Sequence, residues 1–233
     1  MIPNGQPGPG TFADFEAERG YMVARQIRTR GVQSARVLAA MQKVPRHFFV
    51  PREHVAAAYT DQPLPIGHGQ TISQPFIVAS MSEALSLRGQ ERVLEVGAGS
   101  GYQAAVLALL ARGVIGVELQ PTLALAARER LARLGFANAR IEEGDGSVGW
   151  VSNAPYDAIL VAAAAPAIPP PLVDQLAEGG RLVIPVGTTE HQELVCVTKI
   201  ARRTIEKSLY SCRFVPPLGR HGWQQDKREI TFA

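Results

Sequence analysis

Three carboxylates follow three short apolar runs, and they are the residues with the clearest chemical potential. Glu95 stands in Val93-Leu94-Glu95-Val96, directly before the glycine-rich string Gly97-Ala98-Gly99-Ser100-Gly101. Glu118 closes a second apolar run, Val114–Glu118, and Asp145 lies between glycines in Gly144-Asp145-Gly146. A glycine turn between a strand and a helix lets a ligand approach the main chain closely. An acidic residue at the end of the second strand can hold both ribose hydroxyls. Asp145 could accept a hydrogen bond from an adenine amino group. Glu95 would repel a pyrophosphate but suits a cationic or amino-bearing ligand. The three together suit a positively charged nucleoside without phosphates, and S-adenosylmethionine, a sulfonium with an amino group, fits. Each feature also has a purely structural reading: a connector turn, a solvated strand end, an Asx turn.

A second constellation is the segment Asp61–Pro75, DQPLPIGHGQTISQP. Three prolines and two glycines argue against a regular element there, so a shaped loop is expected. Structureless loops of that length are uncommon in compact domains and are usually functional. Gln70, Thr71 and Ser73 could together donate hydrogen bonds to one anionic ligand. Alternatively, Thr71 or Ser73 caps the helix that begins at Pro75.

Other chemistries lack their residues. His47, His54, His68, His191 and His221 show no metal-ligand spacing. There is no G-x-S-x-G elbow and no phosphate-binding loop of the G-x-x-x-x-G-K type. A dinucleotide fingerprint would need its third glycine at position 102, which is Tyr102. That and Glu95 argue against a nicotinamide-dependent oxidoreductase. Cys196 and Cys212 are too few for a disulfide framework and read as buried, inert thiols. Lys199, Arg202, Arg203, Lys207 and Arg213 read as a charged sheet edge.

These groups need a scaffold that can position them. With 233 residues, 46% hydrophobic and 19% charged, the chain has enough apolar surface for a core and is not a disordered one. The net charge of +3 permits an anionic partner without arguing for nucleic acid. The first residues carry no apolar signal segment, so a cytoplasmic location is expected. The apolar stretch 158–173 is broken by four prolines, so no membrane span is expected.

Residues 1–10, with three prolines and three glycines, are expected to form a flexible tail. Residues 11–90 read as an N-terminal helical extension plus the loop. Helices are expected over Thr11–Arg30, after a Ser34 cap, and from Pro75, with His47–Val50 a packed connector. From 91 to 218 strands and helices alternate. Strands are expected at Arg92–Val96, Val114–Glu118, Arg140–Glu142, Asp157–Ala162 and Arg181–Val186. Helices are expected at 102–111, Pro121–Leu134 and Pro171–Ala177. Such alternation specifies a mostly parallel sheet covered on both faces, with the carboxylates at its switch point. Leu194–Ile200 and Ile205–Val215 have no helix between them and read as an antiparallel hairpin. Residues 219–233 read as a C-terminal tail, and the whole as one compact α/β domain, expected to be a monomer.

The motifs resemble those of the protein-L-isoaspartate O-methyltransferase family of repair enzymes. The similarity is carried by Met22-Val23, Gln26-Ile27 and Arg30-Gly31, by Val44-Pro45-Arg46 with Phe49-Val50-Pro51, and by Tyr59-Thr60-Asp61. Leu64–Gly67, Gly69–Pro75, Val93–Tyr102, Gly144–Gly146, Pro155–Ile159, Pro185–Gly187 and Phe214–Pro216 extend it over roughly residues 20–217. The string Gly69–Pro75 is much more specific than the glycine turn, which many S-adenosylmethionine enzymes share. The resemblance implies a Rossmann-like, seven-stranded methyltransferase fold. It implies methyl transfer to the α-carboxyl of L-isoaspartyl residues in damaged proteins, with no metal. It implies Ser73 as the active-site serine. Glu95, Gly97, Gly99, Glu118 and Asp145 match the family's cofactor-binding positions, and the full expected cofactor set is Gln70, Thr71, Ile72, Ser73, Glu95, Gly97, Gly99, Gly101, Glu118, Leu119, Asp145 and Gly146. A methyltransferase for a small molecule or a nucleic acid stays open as the alternative. Against base methylation, Ala162-Ala163-Ala164-Ala165-Pro166 stands where an Asn/Asp-Pro-Pro-Tyr run would be expected. A non-catalytic S-adenosylmethionine-binding module is the remaining rival.

Overall fold

The computed structural model describes residues 15–188, 190–201, 203–214 and 219–220. The tail expected at 1–10, the first turn of the helix expected from Thr11, and residues 221–233 lie outside them.

The N-terminal part is helical. Helix α1 (Glu16–Tyr21) runs on through a π turn (Met22–Ile27) and a 3₁₀ turn (Arg28–Arg30). It stops at Gly31, whose φ of 102° is a left-handed cap that glycine adopts without a Cβ penalty. Ser34 caps α2 (Ala35–Lys43) as expected, its Oγ accepting from Val37 N at 3.4 Å. The α2 stripe of Val37, Leu38 and Met41 is buried. Two 3₁₀ turns (Arg46–Phe49 and Arg52–Ala57) lead to a two-stranded ribbon, β1 (Leu64–Gly67) and β2 (Gln70–Ile72), and then to α3 (Pro75–Ala84).

That ribbon corrects the expectation of a loop without regular structure. Leu64 pairs with Ile72 and Gly67 with Gln70. The reversal is possible because Gly67, His68 and Gly69 all take positive φ, at 95°, 53° and 68°. Pro65 is tolerated because a ribbon of two strands leaves one side of each strand unpaired.

The alternating half supplies β3 (Arg92–Val96), α4 (Tyr102–Ala108), β4 (Gly113–Glu118), α5 (Pro121–Arg133), β5 (Ala139–Glu143), β6 (Tyr156–Val161), α6 (Pro170–Asp174) and β7 (Leu176–Gly187). An antiparallel pair, β8 (Gln192–Ile200) and β9 (Arg203–Cys212), completes it. The sheet order is β5-β4-β3-β6-β7-β8-β9, parallel from β5 to β7. Strand β3 therefore lies at the switch point, where successive connections depart in opposite directions and a crevice opens at the carboxyl ends. The N-terminal helices, α3 and α4 share one core with one face of the sheet, while Trp150 and Leu172 cover the other face.

Two helices are shorter than expected. α4 ends at Ala108 rather than 111. The helix expected at Pro171–Ala177 ends at Asp174, and Leu176 already pairs with Tyr156 of β6. Glu178-Gly179-Gly180 explains this, since helix formation there is unfavourable and a bulge lets β7 resume at Arg181 opposite Ala158. The positive φ of Gly179, 76°, supports that turn.

Cys196 and Cys212 are half-buried rather than buried. Burial pushes both thiols up, Cys212 to about 11 with help from Glu193, so they are protonated and inert at neutral pH. In the basic cluster, Lys199 is not simply a solvated charge. Its Nζ donates to the carbonyls of Val173 (2.9 Å) and Leu176 (2.8 Å), at the C-terminal end of α6. Among the described residues no helix is long and apolar enough to cross a membrane.

Candidate active site

A cavity opens at the carboxyl ends of β3, β4 and β6, roofed by the β1–β2 ribbon. Of the twelve residues in the expected cofactor set, ten line it: Gln70, Thr71, Ile72, Ser73, Glu95, Gly97, Gly99, Glu118, Leu119 and Gly146. Gly101 and Asp145 do not. Gly101 instead begins α4 with φ 85°, and a Cβ there would come within 3.2 Å of Ala127 Cβ, so its lack of a side chain lets α4 and α5 pack closely. Asp145 is turned into its own loop. Its Oδ1 accepts from Ser147 N (2.9 Å) and Ser147 Oγ (2.6 Å), and its Oδ2 from Arg220 N (2.8 Å).

Among the described residues, the cavity lining contains two carboxylates and no basic side chain. Glu118 is held by main-chain donors, with Oε2 accepting from Gly99 N (2.7 Å) and Oε1 from Gln120 N (2.9 Å). Glu95 is different. It is fully buried, and both its carboxylate oxygens lack a hydrogen-bond partner. Burial, followed by repulsion from Glu118, raises its carboxyl well above the usual glutamate range. An unpartnered buried carboxylate is costly, and a proton or a cation relieves the cost. A positively charged group therefore fits beside Glu95. No group of His, Cys, Asp and Glu suited to hold a metal occurs among the described residues.

Small residues make the cradle. A Cβ at Gly146 would lie 2.7 Å from Val96 Cγ1, and one at Gly99 would lie 3.2 Å from Ile66 Cδ1. Gly116, which the sequence reading passed over, pairs with Glu95 across β3 and β4. Its missing side chain leaves space beside the Glu95 carboxylate, since a Cβ there would meet Ile141 Cδ1 at 2.6 Å. Glycine inside a strand, where it weakens the strand, was the available signal.

The ribbon is fastened at both ends. At its tip, His68 Nε2 and Thr122 Oγ1, at the start of α5, are 2.8 Å apart. At its base, Asp61 Oδ1 accepts from Phe76 N (3.1 Å), and Oδ2 takes Gln74 Nε2 (3.3 Å) and the Arg30 guanidinium. Arg30 also stacks on the Phe76 ring, 3.7 Å from its centroid. With Asp61 serving the first turn of α3, that helix takes no side-chain cap from Thr71 or Ser73. The half-buried Ser73 has no hydrogen bond among the described residues and lines the cavity. Sequence also missed the apolar lining from α3, the β6–α6 connection and α6, including Val78, Met81, Ala163 and Leu172. Their apolar character alone could not separate a cavity wall from core.

Comparison with known proteins agrees with this geometry. The family model of protein-L-isoaspartate(D-aspartate) O-methyltransferase matches residues 18–222. A protein-L-isoaspartate O-methyltransferase of Methanoculleus marisnigri is 56% identical over 89% of this chain and 94% of its own length. One from Geobacter metallireducens is 53% identical over 90% of this chain and 98% of its own. Among solved structures, a protein-L-isoaspartate O-methyltransferase superposes with a TM-score of 0.80 at 28% identity, covering 88% of this chain and 67% of that one. A Plasmodium falciparum structure, a candidate of the same activity in complex with S-adenosyl-L-homocysteine, gives 0.73 at 27% identity, covering 88% and 98%. The seven-stranded fold, the specific ribbon string and these similarities agree: the chain belongs to the protein-L-isoaspartate O-methyltransferase family.

Proposed function

We propose that this protein transfers a methyl group from S-adenosylmethionine to the free α-carboxyl of L-isoaspartyl residues in damaged proteins. The observation that carries the reading is the placement of Ser73. Its uncommitted hydroxyl lines a cavity whose only charged lining residues, among the described residues, are Glu95 and Glu118.

When bound, the cofactor supplies an electrophilic methyl group. The chain's own residues do the rest. Glu95 and Glu118 provide the negative charge that favours a cation, with Glu118 the natural partner of ribose hydroxyls. Gly97, Gly99 and Gly146 admit the nucleoside close to the main chain, and Leu119 gives it an apolar wall. Gln70, Thr71, Ile72 and Ser73 close the other side. Asp145, already holding Ser147 and Arg220 N and standing outside the lining, would offer its Oδ2 as the acceptor for an adenine amino group.

Ser73 orients the substrate carboxylate by donating its hydroxyl. No general base is needed, because an α-carboxyl group with a pKa of about 3.5 is ionised at neutral pH. The reacting charges cancel along the reaction path, and water stabilises the separated charges more than the dispersed transition state. A closed site that holds both partners at near-attack distance and excludes water therefore supplies most of the rate. The following main-chain nitrogen then attacks the methyl ester and expels methanol to give a succinimide, and water partly reopens that ring as a normal aspartyl linkage.

The decisive assay compares methyl transfer to an isoaspartyl peptide with transfer to the same peptide carrying aspartate. Turnover of the isoaspartyl form alone is expected; equal turnover, or none, would overturn the reading.

A further inference from the structure

We propose a second ligand site, for a phosphate-type polyanion, at the opposite end of the sheet from the cofactor cavity. It is the depression of about 290 Å³ whose charged lining is Arg92, Arg112 and Arg140, at the amino ends of β3, β4 and β5. Among the described residues no acidic one lines it, and it shares no lining residue with the cofactor cavity.

The topology builds this site. Arg92 pairs with Gly113, and Arg140 with Ile115, two residues further along β4. Alternation along the strands therefore sends both arginine side chains to the same face. In a sheet of this class a helix usually follows each strand and covers the face. Here the connection from β5 to β6 holds only two 3₁₀ turns, Gly146–Val148 and Val151–Asn153. Trp150 packs on the part of the face nearer the carboxyl ends. The part nearer the amino ends forms the depression, which Arg112 also lines.

All three arginines are exposed, and unlike some others they are not spent on internal carbonyls. Arg36, Arg128 and Arg130 donate to the carbonyls of Leu110 (3.0 Å), Ile141 (2.6 Å) and Ser100 (2.6 Å). The guanidiniums of Arg92, Arg112 and Arg140 make no ion pair and no hydrogen bond among the described residues. The neighbouring Asp157 places its Oδ2 on Arg92 N, at 2.8 Å, and is not part of the lining. Three like charges around one concavity repel one another, and a polyanion converts that repulsion into binding.

Guanidinium forks match phosphate oxygens in pairs. Arg92 and Arg140 stand two strands apart and two residues out of register, which places their Cα atoms roughly 12 Å from each other. That span suits two or three linked phosphates better than one. Such a group could come from a free oligophosphate or from a nucleotide.

The test is calorimetric titration of the full-length chain with inorganic pyrophosphate and with adenosine diphosphate. Binding of one equivalent is expected, with the Arg92→Gln/Arg140→Gln double variant weakened at least about 10-fold. S-adenosylhomocysteine affinity and methyl transfer should stay unchanged in that variant. Arg112→Gln alone, weakened about 3-fold or more, gives the same answer should the double variant fold poorly. Tighter binding of the diphosphate nucleotide assigns the site to nucleotides, and equal binding assigns it to free oligophosphate; both support the site. Absence of pyrophosphate binding at about 5 mM, or equal affinity in wild type and variants, overturns it.

Discussion

Asp61 accepts a hydrogen bond from the main-chain N of Phe76, joining the two ends of the segment that presents Ser73. The same carboxylate also meets Gln74 and Arg30, so one side chain ties the ribbon, the start of α3 and the N-terminal helix together. Ser73 lies between these anchored points, and its position follows from the clamp rather than from a cap of its own.

Removing the clamp should therefore disturb the substrate more than the cofactor. Asp61→Ala is expected to lower kcat/KM for an isoaspartyl peptide by about 10- to 100-fold, or roughly 1.4–2.7 kcal/mol. S-adenosylhomocysteine affinity should change by less than about 3-fold. Steady-state kinetics beside a binding titration checks this; equal losses in both would place Asp61 in general folding instead.

Ser73→Ala is expected to slow methyl transfer by about 10- to 1000-fold, corresponding to roughly 1.4–4 kcal/mol, while cofactor binding survives. An unchanged steady-state rate would remove Ser73 from the chemistry.

The tip of the ribbon gives a third test. Thr122→Val removes the partner of His68 while keeping the shape of the residue. Loss of one exposed hydrogen bond costs about 0.5–1.5 kcal/mol, so cofactor affinity should weaken about 2- to 10-fold with kcat nearly preserved. Titration with S-adenosylhomocysteine reads this directly, and unaltered affinity would mean the tip does not restrain the cofactor.

Glu95 predicts a pH dependence with a definite sign. Its carboxyl is raised in the folded protein by burial and by Glu118. The native state then binds more protons than the unfolded state between the ordinary glutamate value and the raised one. Across that window the ligand-free protein should lose stability as pH rises. Cofactor binding should show the opposite trend, strengthening with pH as Glu95 ionises to meet the cation. Thermal unfolding and titrations from pH 5 to 8 check both slopes. Glu95→Gln should flatten both, and wild-type slopes matching the variant's would refute the assignment.

Local patterns made much of this protein legible. The strand Arg92–Val96 is legible because a short apolar run ending in a glycine turn leaves little freedom at either side. The Pro75 and Pro121 helices started where proline's fixed φ and missing N–H suit a first helical turn. The candidate chemistry of Glu95, Glu118 and Ser73 could also be named from residue type and spacing.

Tertiary structure decided what no short window contains. The ribbon inside 61–75 rests on three consecutive positive φ values and on docking against Gly99 and Thr122, both distant in sequence. The bonds that turn Asp145 away from the cavity include one from Arg220, 75 residues on. The character of Glu95 depends on Gly116, Glu118 and Ile141 surrounding it. Backbone preference acts over a few residues and can be read along the chain, whereas desolvation and electrostatic repulsion depend on everything that folding brings within a few ångströms.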